Sequence, residues 1–184
     1  MSRIATPTSI ETSPAASQPL LSAVKAQLGS APNLFRIVGN SPAALEGFLG
    51  LSGALGKGAL DLKTRNRIAL AVAEVNGCNY CLAAHSYLGE NLAKLPADEM
   101  SANRRGGSSD AKADAAIKFA SKIARERGHV GEADVKAVKD AGYTDAQVVE
   151  IIAHVALNVM TNYVNEALKT DIDFPQVQPL GAAA

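Results

Sequence analysis

Two cysteines and a histidine lie within eight residues in the run Glu74-Val75-Asn76-Gly77-Cys78-Asn79-Tyr80-Cys81-Leu82-Ala83-Ala84-His85, and the chain has no other cysteine. Thiols separated by two residues can cycle between dithiol and disulfide with little backbone movement, which a thiol redox centre requires. Asn76-Gly77 is a helix-stop and turn signal, so Cys78 is expected as the N-cap or first residue of a new helix running through Leu82, Ala83 and Ala84. Unpaired N–H groups at a helix start favour a thiolate, the form that reacts. His85 stands four residues after Cys81, on the same face one turn later, where it can accept or return a proton directly or through one water. Cys81 and His85 are therefore a candidate nucleophile and base, although the helix dipole by itself favours Cys78.

Other readings of the same residues stay open. Cys78, Cys81 and His85 would supply three zinc ligands, with His154 or Glu74 as a fourth. Two buried inert thiols are the structural alternative, and haem attachment is excluded because Leu82, not histidine, follows the second cysteine. His154 sits on an apolar helix face, where core packing with a hydrogen bond is the plainer role. His129 lies in a polar turn and is expected to be exposed. Glu74, in an apolar helix, would be costly if buried without a partner, which makes it a candidate for a hydrogen-bonded relay. Tyr80 is expected to shape a pocket, and Asn158, Asn162 and Asn165 form a polar stripe suited to an interface, to tail capping or to substrate contact.

The string from Asn76 to His85 resembles the Cys-x-x-Cys-x-x-x-His core of the AhpD-like alkylhydroperoxidases in the carboxymuconolactone decarboxylase superfamily. The specific part of the resemblance spans about Leu60 to Leu88, and a looser helical pattern continues to about Pro175. It implies an all-α fold and a thiol peroxidase in which Cys81 attacks peroxide, Cys78 resolves, and His85 with a glutamate moves the proton. It also implies an external dithiol or thiol reductant, a homo-oligomer, and no cofactor or bound metal. One branch of the family has its glutamate twelve residues before the first cysteine, where this chain has Asn66, so Glu74 is taken as the substitute. A lactone decarboxylase of the same superfamily and a non-enzymatic thiol-disulfide protein are the rival readings.

Positioning these residues requires a helical scaffold, and no period-two strand pattern appears. With 184 residues and 47% hydrophobic content, one domain with one core is expected. The 18 basic and 18 acidic residues cancel, leaving no electrostatic footprint for nucleic acid. No apolar run spans a bilayer and Met1 to Pro7 has no apolar leader segment, so no membrane partner and a cytoplasmic location are expected. Residues 1–14 read as a flexible arm, 15–175 as the domain and 176–184 as a tail.

Helices are expected over Gln18 to Leu28, Asn33 to Val38, Pro42 to Leu55, Arg65 onward after an N-cap at Asp61 or Thr64, Cys78 to about Lys94, Asp110 to Arg127, Val130 to Ala141 and Thr144 to about Lys169, with another unit beginning at Pro96. Gly47, Gly50 and Gly53 fall on one side of the third segment and suggest close helix packing. The segment from Arg65 is apolar nearly all round, as a central buried helix would be. Placing Thr64 over Thr144 superposes Ile68 on Val148 and Val72 on Ile152, a possible internal helical repeat that would put His154 at the place of Glu74.

Overall fold

The computed structural model describes residues 1–178 and 180, and among these the chain forms nine α-helices and one short 3₁₀ turn, with no strand. The helices are α1 (Gln18–Leu28), α2 (Asn33–Val38), α3 (Pro42–Leu55), α4 (Leu62–Val75), α5 (Asn79–Asn91), α6 (Ala97–Arg104), α7 (Ala111–Glu126), α8 (Glu132–Asp140) and α9 (Asp145–Leu168). Local chemistry sets their ends. Ser41 Oγ accepts the Ala44 N–H ahead of Pro42 at the first helical position, and Gly29 closes α1 in the left-handed conformation. Asp61 is the cap of α4, its carboxylate accepting the Thr64 N–H at 2.7 Å, so this helix begins one turn before the apolar run suggests.

The centre of the fold is α4, which packs against α5, α6, α7 and α9. Its residues Ile68 to Ala73 are buried without interruption, as a helix surrounded on all sides demands. One apolar cluster joins Leu21, Ile37, Leu45 and Phe48 of α1 to α3 with the Cys78, Cys81 and Leu82 segment. A second joins Ile68 and Val72 of α4 to α7, α8 and α9 through Phe119, Val138 and Ile151. The thiol segment thus sits where the N-terminal helices meet the central one.

Glu99 locks the loop between α6 and α7. It is buried yet accepts hydrogen bonds from Arg67 Nε, Asn103 Nδ2, the Ser108 hydroxyl, and both the N–H and hydroxyl of Ser109. Burial pushes its carboxyl up, but these donors outweigh burial and hold it down to about 2.

Four expectations change. Residues 1–14 lie along the domain instead of standing free: Arg36 Nη1 donates to the carbonyls of Pro7 and Thr8, Asn40 Nδ2 to that of Ala5, and the Arg3 N–H to Leu168 O. A segment with only scattered apolar residues is held here through its backbone and by Ile10 packed against the first apolar cluster, contacts that composition does not report. A side chain at Gly47, Gly50 or Gly53 would meet nothing within 4 Å, so these glycines mark no close packing within the chain. The repeat register fails, because Ile152 is 43% exposed whereas its proposed counterpart Val72 is fully buried. The two caps, Asp61 and Thr144, also stand one turn out of that register. Finally, residues 171–178 pack as a strap: Asp173 accepts hydrogen bonds from the Asn33 N–H and the Tyr80 hydroxyl, and Phe174 meets Tyr80 edge-on. The end of the 176–184 tail, apart from Leu180, lies outside the described residues.

Candidate active site

The turn from α4 into α5 builds the site. Gly77, at φ +63°, takes the left-handed conformation that lets the chain reverse, and Cys78 follows as the N-cap of α5. Cys78 Sγ accepts the Cys81 N–H at 3.3 Å, doing at the helix start what a serine oxygen usually does. The two sulfurs are free thiols 2.7 Å apart, with Cys78 S–H donating to Cys81 Sγ. That arrangement divides the pair. Cys81 is lowered chiefly by the Cys78 hydrogen bond, against burial, with further help from Asn165, Asn162 and Thr161. Cys78 is pushed up by the hydrogen bond it gives and by burial. The geometry therefore favours Cys81 as the thiolate, and the helix-start preference for Cys78 is overridden.

A cavity of about 620 Å³ opens beside the pair, and of the two cysteines Cys81 alone lines it. Its walls are mainly apolar, with Leu34, Phe35 and Phe48 from α2 and α3, Leu157 from α9 and Phe174 from the strap. His85 and Tyr80 complete it from α5. Tyr80 is fixed at its hydroxyl, which accepts the Leu34 N–H at 3.1 Å and donates to Asp173 at 2.7 Å.

His85 is partly buried, and desolvation pushes its imidazole down to about 4. Its ring partner is Asn66, the residue standing where one family branch has glutamate. Asn66 Nδ2 donates to the His85 carbonyl at 3.1 Å, which turns Asn66 Oδ1 toward His85 Nδ1 at 3.3 Å. An acceptor on that side favours the tautomer with hydrogen on Nδ1 and leaves Nε2 as the free basic nitrogen. Gly89 makes room for this contact, since a Cβ there would stand 2.6 Å from Asn66 Nδ2 and 2.7 Å from Met100 Sδ.

Glu74 belongs elsewhere. Its Oε2 accepts from Arg104 Nε and its Oε1 from the Leu180 N–H, both at 2.7 Å, so both oxygens are engaged away from the thiols. Eight residues of α-helix separate it from Asn66, about two turns plus 80°, which turns it toward α6 and the strap instead of toward His85. His154 is buried on α9 with Nε2 unpartnered, and burial followed by the nearby Arg65 pushes it down to about 4. Among the described residues no three His, Cys, Asp or Glu side chains converge as a metal-binding group.

Sequence reasoning misses Thr161, the contact of Asn66 with His85, and the link of the Asn162 and Asn165 stripe to the thiols. All three α9 residues are buried, and Asn165 Nδ2 donates to Cys81 Sγ at 3.3 Å. Their signal was the asparagine spacing along an otherwise apolar helix, because buried amides must find partners.

Both low-pKa histidines bear on stability. In the unfolded chain they titrate near 6.5 and in the folded chain near 4, so the unfolded state takes up protons first as pH falls. Stability should be fully present above about pH 6.5 and decline toward about pH 4. At about 1.4 kcal/mol per pKa unit, buried His154 accounts for up to roughly 3 kcal/mol. Denaturant midpoints measured across this range should fall with pH, and His154→Gln should flatten the slope.

The sequence profile of the carboxymuconolactone decarboxylase family matches residues 42–126, from the start of α3 to the end of α7. No curated protein matches the sequence. Among solved structures, the peroxidase-related protein with an alkylhydroperoxidase AhpD core from Ralstonia eutropha JMP134 is 26% identical, with a TM-score of 0.83 over 94% of this chain and 92% of its own. A peroxidase-related protein from Silicibacter sp. TM1040 is 24% identical, with a TM-score of 0.80 over 92% and 91%. The fold of the debrominase Bmp8, solved in complex with 2,3,4-tribromopyrrole, is also shared, at 21% identity and a TM-score of 0.72 over 84% of each chain. The all-α architecture is that of AhpD-like proteins. The match to the carboxymuconolactone decarboxylase family thus covers α3 to α7, and over nearly the whole chain the fold is similar to that of the AhpD-core protein.

Proposed function

We propose that the chain is a thiol-dependent peroxidase that reduces organic hydroperoxides through Cys81 and Cys78. The observation that carries this reading is the division of the thiol pair: Cys81 faces the cavity with a lowered pKa, and Cys78 lies behind it as the protonated partner. The apolar walls suit the carbon portion of a hydroperoxide ROOH.

In the first step the Cys81 thiolate attacks the terminal peroxide oxygen, the O–O bond breaks, and the products are Cys81 sulfenic acid and RO⁻. His85 Nε2 accepts a hydrogen bond from the hydroperoxide O–H, which stays with the oxygen transferred to sulfur, and a second proton, drawn from solvent through His85 and equivalent to the one Cys81 lost on ionising, neutralises RO⁻ to ROH. An imidazole held near 4 resists protonation at rest and releases a proton readily once it has one, which suits this transfer better than the role of a standing counter-ion. With Cys81 oxidised and uncharged, the main cause holding Cys78 as a thiol is gone. Cys78 then attacks the Cys81 sulfur, water leaves, and a disulfide forms. Two electrons from an external dithiol or thiol restore the pair. Because both sulfurs are buried, that reductant must reach them through the cavity.

This burial also weighs against a protein whose task is disulfide exchange with other proteins. A lactone decarboxylase would use acid/base groups on a carboxylated ring. Of the carboxylates near the cavity, Asp173 is already hydrogen-bonded to Asn33 and Tyr80. Hydroperoxide consumption in the presence of a small dithiol tests the proposal: saturable turnover dependent on both reagents is expected, and its absence alongside ring decarboxylation would replace it.

A further inference from the structure

A buried thiolate needs compensation, and the largest influences on the Cys81 proton do not come from a cation: they are the Cys78 hydrogen bond, burial, and the donors Asn165, Asn162 and Thr161. The titratable groups around the thiol pair among the described residues include Cys78, Tyr80 and His85 from the α5 segment, Asp173 of the strap, which lines the same cavity, and Glu166 from α9, which acts on Cys78. None of these is cationic at neutral pH, since His85 is held near 4. What faces the sulfur instead is the polar seam of α9.

Within that seam Asn165 is 2% exposed, and its Nδ2 stands 3.3 Å from Cys81 Sγ. Asn162 is fully buried, and its Oδ1 accepts from Asn76 Nδ2 at 2.8 Å, in the turn just before Cys78. With its oxygen held by Asn76, Asn162 keeps a buried Nδ2 that has no hydrogen-bond partner. A buried amide donor left in this state is costly unless an acceptor presents itself, and an anionic sulfur is a far better acceptor than a thiol.

We infer that the side-chain amides of Asn165 and Asn162 form the anion-holding site for the Cys81 sulfur, with Asn76 as the positioning residue that sets the orientation of Asn162. The inference rests on the reading of Cys81 as the nucleophile, but it can be tested without peroxide turnover. An amide site has a functional consequence: neutral donors are not neutralised by salt or by deprotonation, so the thiolate is held without drawing a second charge into an apolar cavity.

The test is the pH dependence of Cys81 alkylation by iodoacetamide in the reduced protein, followed by peptide mass, with hydroperoxide turnover measured separately. Asn165→Leu keeps the size and removes the donor, and should raise the alkylation midpoint by about one pH unit or more, the tenfold effect of losing a hydrogen bond to a charged group. Asn76→Ala touches neither sulfur and should raise it by a smaller amount in the same direction. If Asn165→Leu does not fold, Asn165→Asp, which places a second negative charge beside the sulfur, should raise the midpoint further still. An unmoved midpoint at position 165 would overturn the site, and an unmoved one in Asn76→Ala would overturn the role of Asn162. Midpoint shifts in a protein that shows no hydroperoxide turnover would keep the amide site and reject the peroxidase reading.

Discussion

Cys81→Ser is expected to remove hydroperoxide turnover, by a factor on the order of 10⁴ or more, as loss of a nucleophile does in a covalent mechanism. The expectation follows from position: Cys81 is the cysteine that lines the cavity, and a serine hydroxyl neither ionises near neutral pH nor attacks a peroxide oxygen. Cys78→Ser should behave differently. Cys81 keeps the cavity and the α9 donors, so it should still form a sulfenic acid, which a dimedone-type probe can trap. Turnover should then slow because the external thiol must reduce that acid directly. Trapping the sulfenic acid mainly on Cys78 in the Cys81→Ser protein, with turnover retained, would reverse the roles.

His85→Ala is expected to lower the hydroperoxide rate by a factor on the order of 10²–10⁴, the usual contribution of a positioned acid/base group. The alkylation midpoint of Cys81 should stay close to that of the unaltered protein, because a neutral imidazole held near 4 is not the counter-ion of the thiolate. This pattern is the opposite of the one expected for Asn165→Leu, where the thiol midpoint moves. A His85→Ala protein that retained its dichroism and its full peroxide rate would return His85 to a structural role. A raised alkylation midpoint in that protein would instead make the histidine a partner of the thiolate.

The sequence carried the thiol pair, its placement at a helix start and most helix limits, because each depends on neighbours close along the chain. Gly29, Ser41-Pro42 and Asn76-Gly77 are local punctuation, and the helices end or begin where they say. Asn66 shows where such reading stops. As a departure from a family pattern it pointed toward Glu74, but Glu74 is drawn off by Arg104 from another helix, and the contact with His85 depends on Gly89 leaving space. The α9 asparagines were visible as a stripe, yet their partner sulfur lies more than eighty residues away in sequence, and no periodicity identifies a partner at that distance. For the same reason the arm looked free: its anchors, Arg36 and Asn40, hold backbone carbonyls that any sequence would offer.

Peptide mapping of the fully reduced protein after one equivalent of an organic hydroperoxide, under non-reducing conditions, tests most directly whether Cys81 and Cys78 are the working pair. The expected result is one molecule of alcohol formed per chain and a single peptide in which Cys78 and Cys81 are joined within the same chain, two hydrogens lighter than before. Free thiols at both positions with the hydroperoxide unconsumed, or bridges found only between chains, would contradict it.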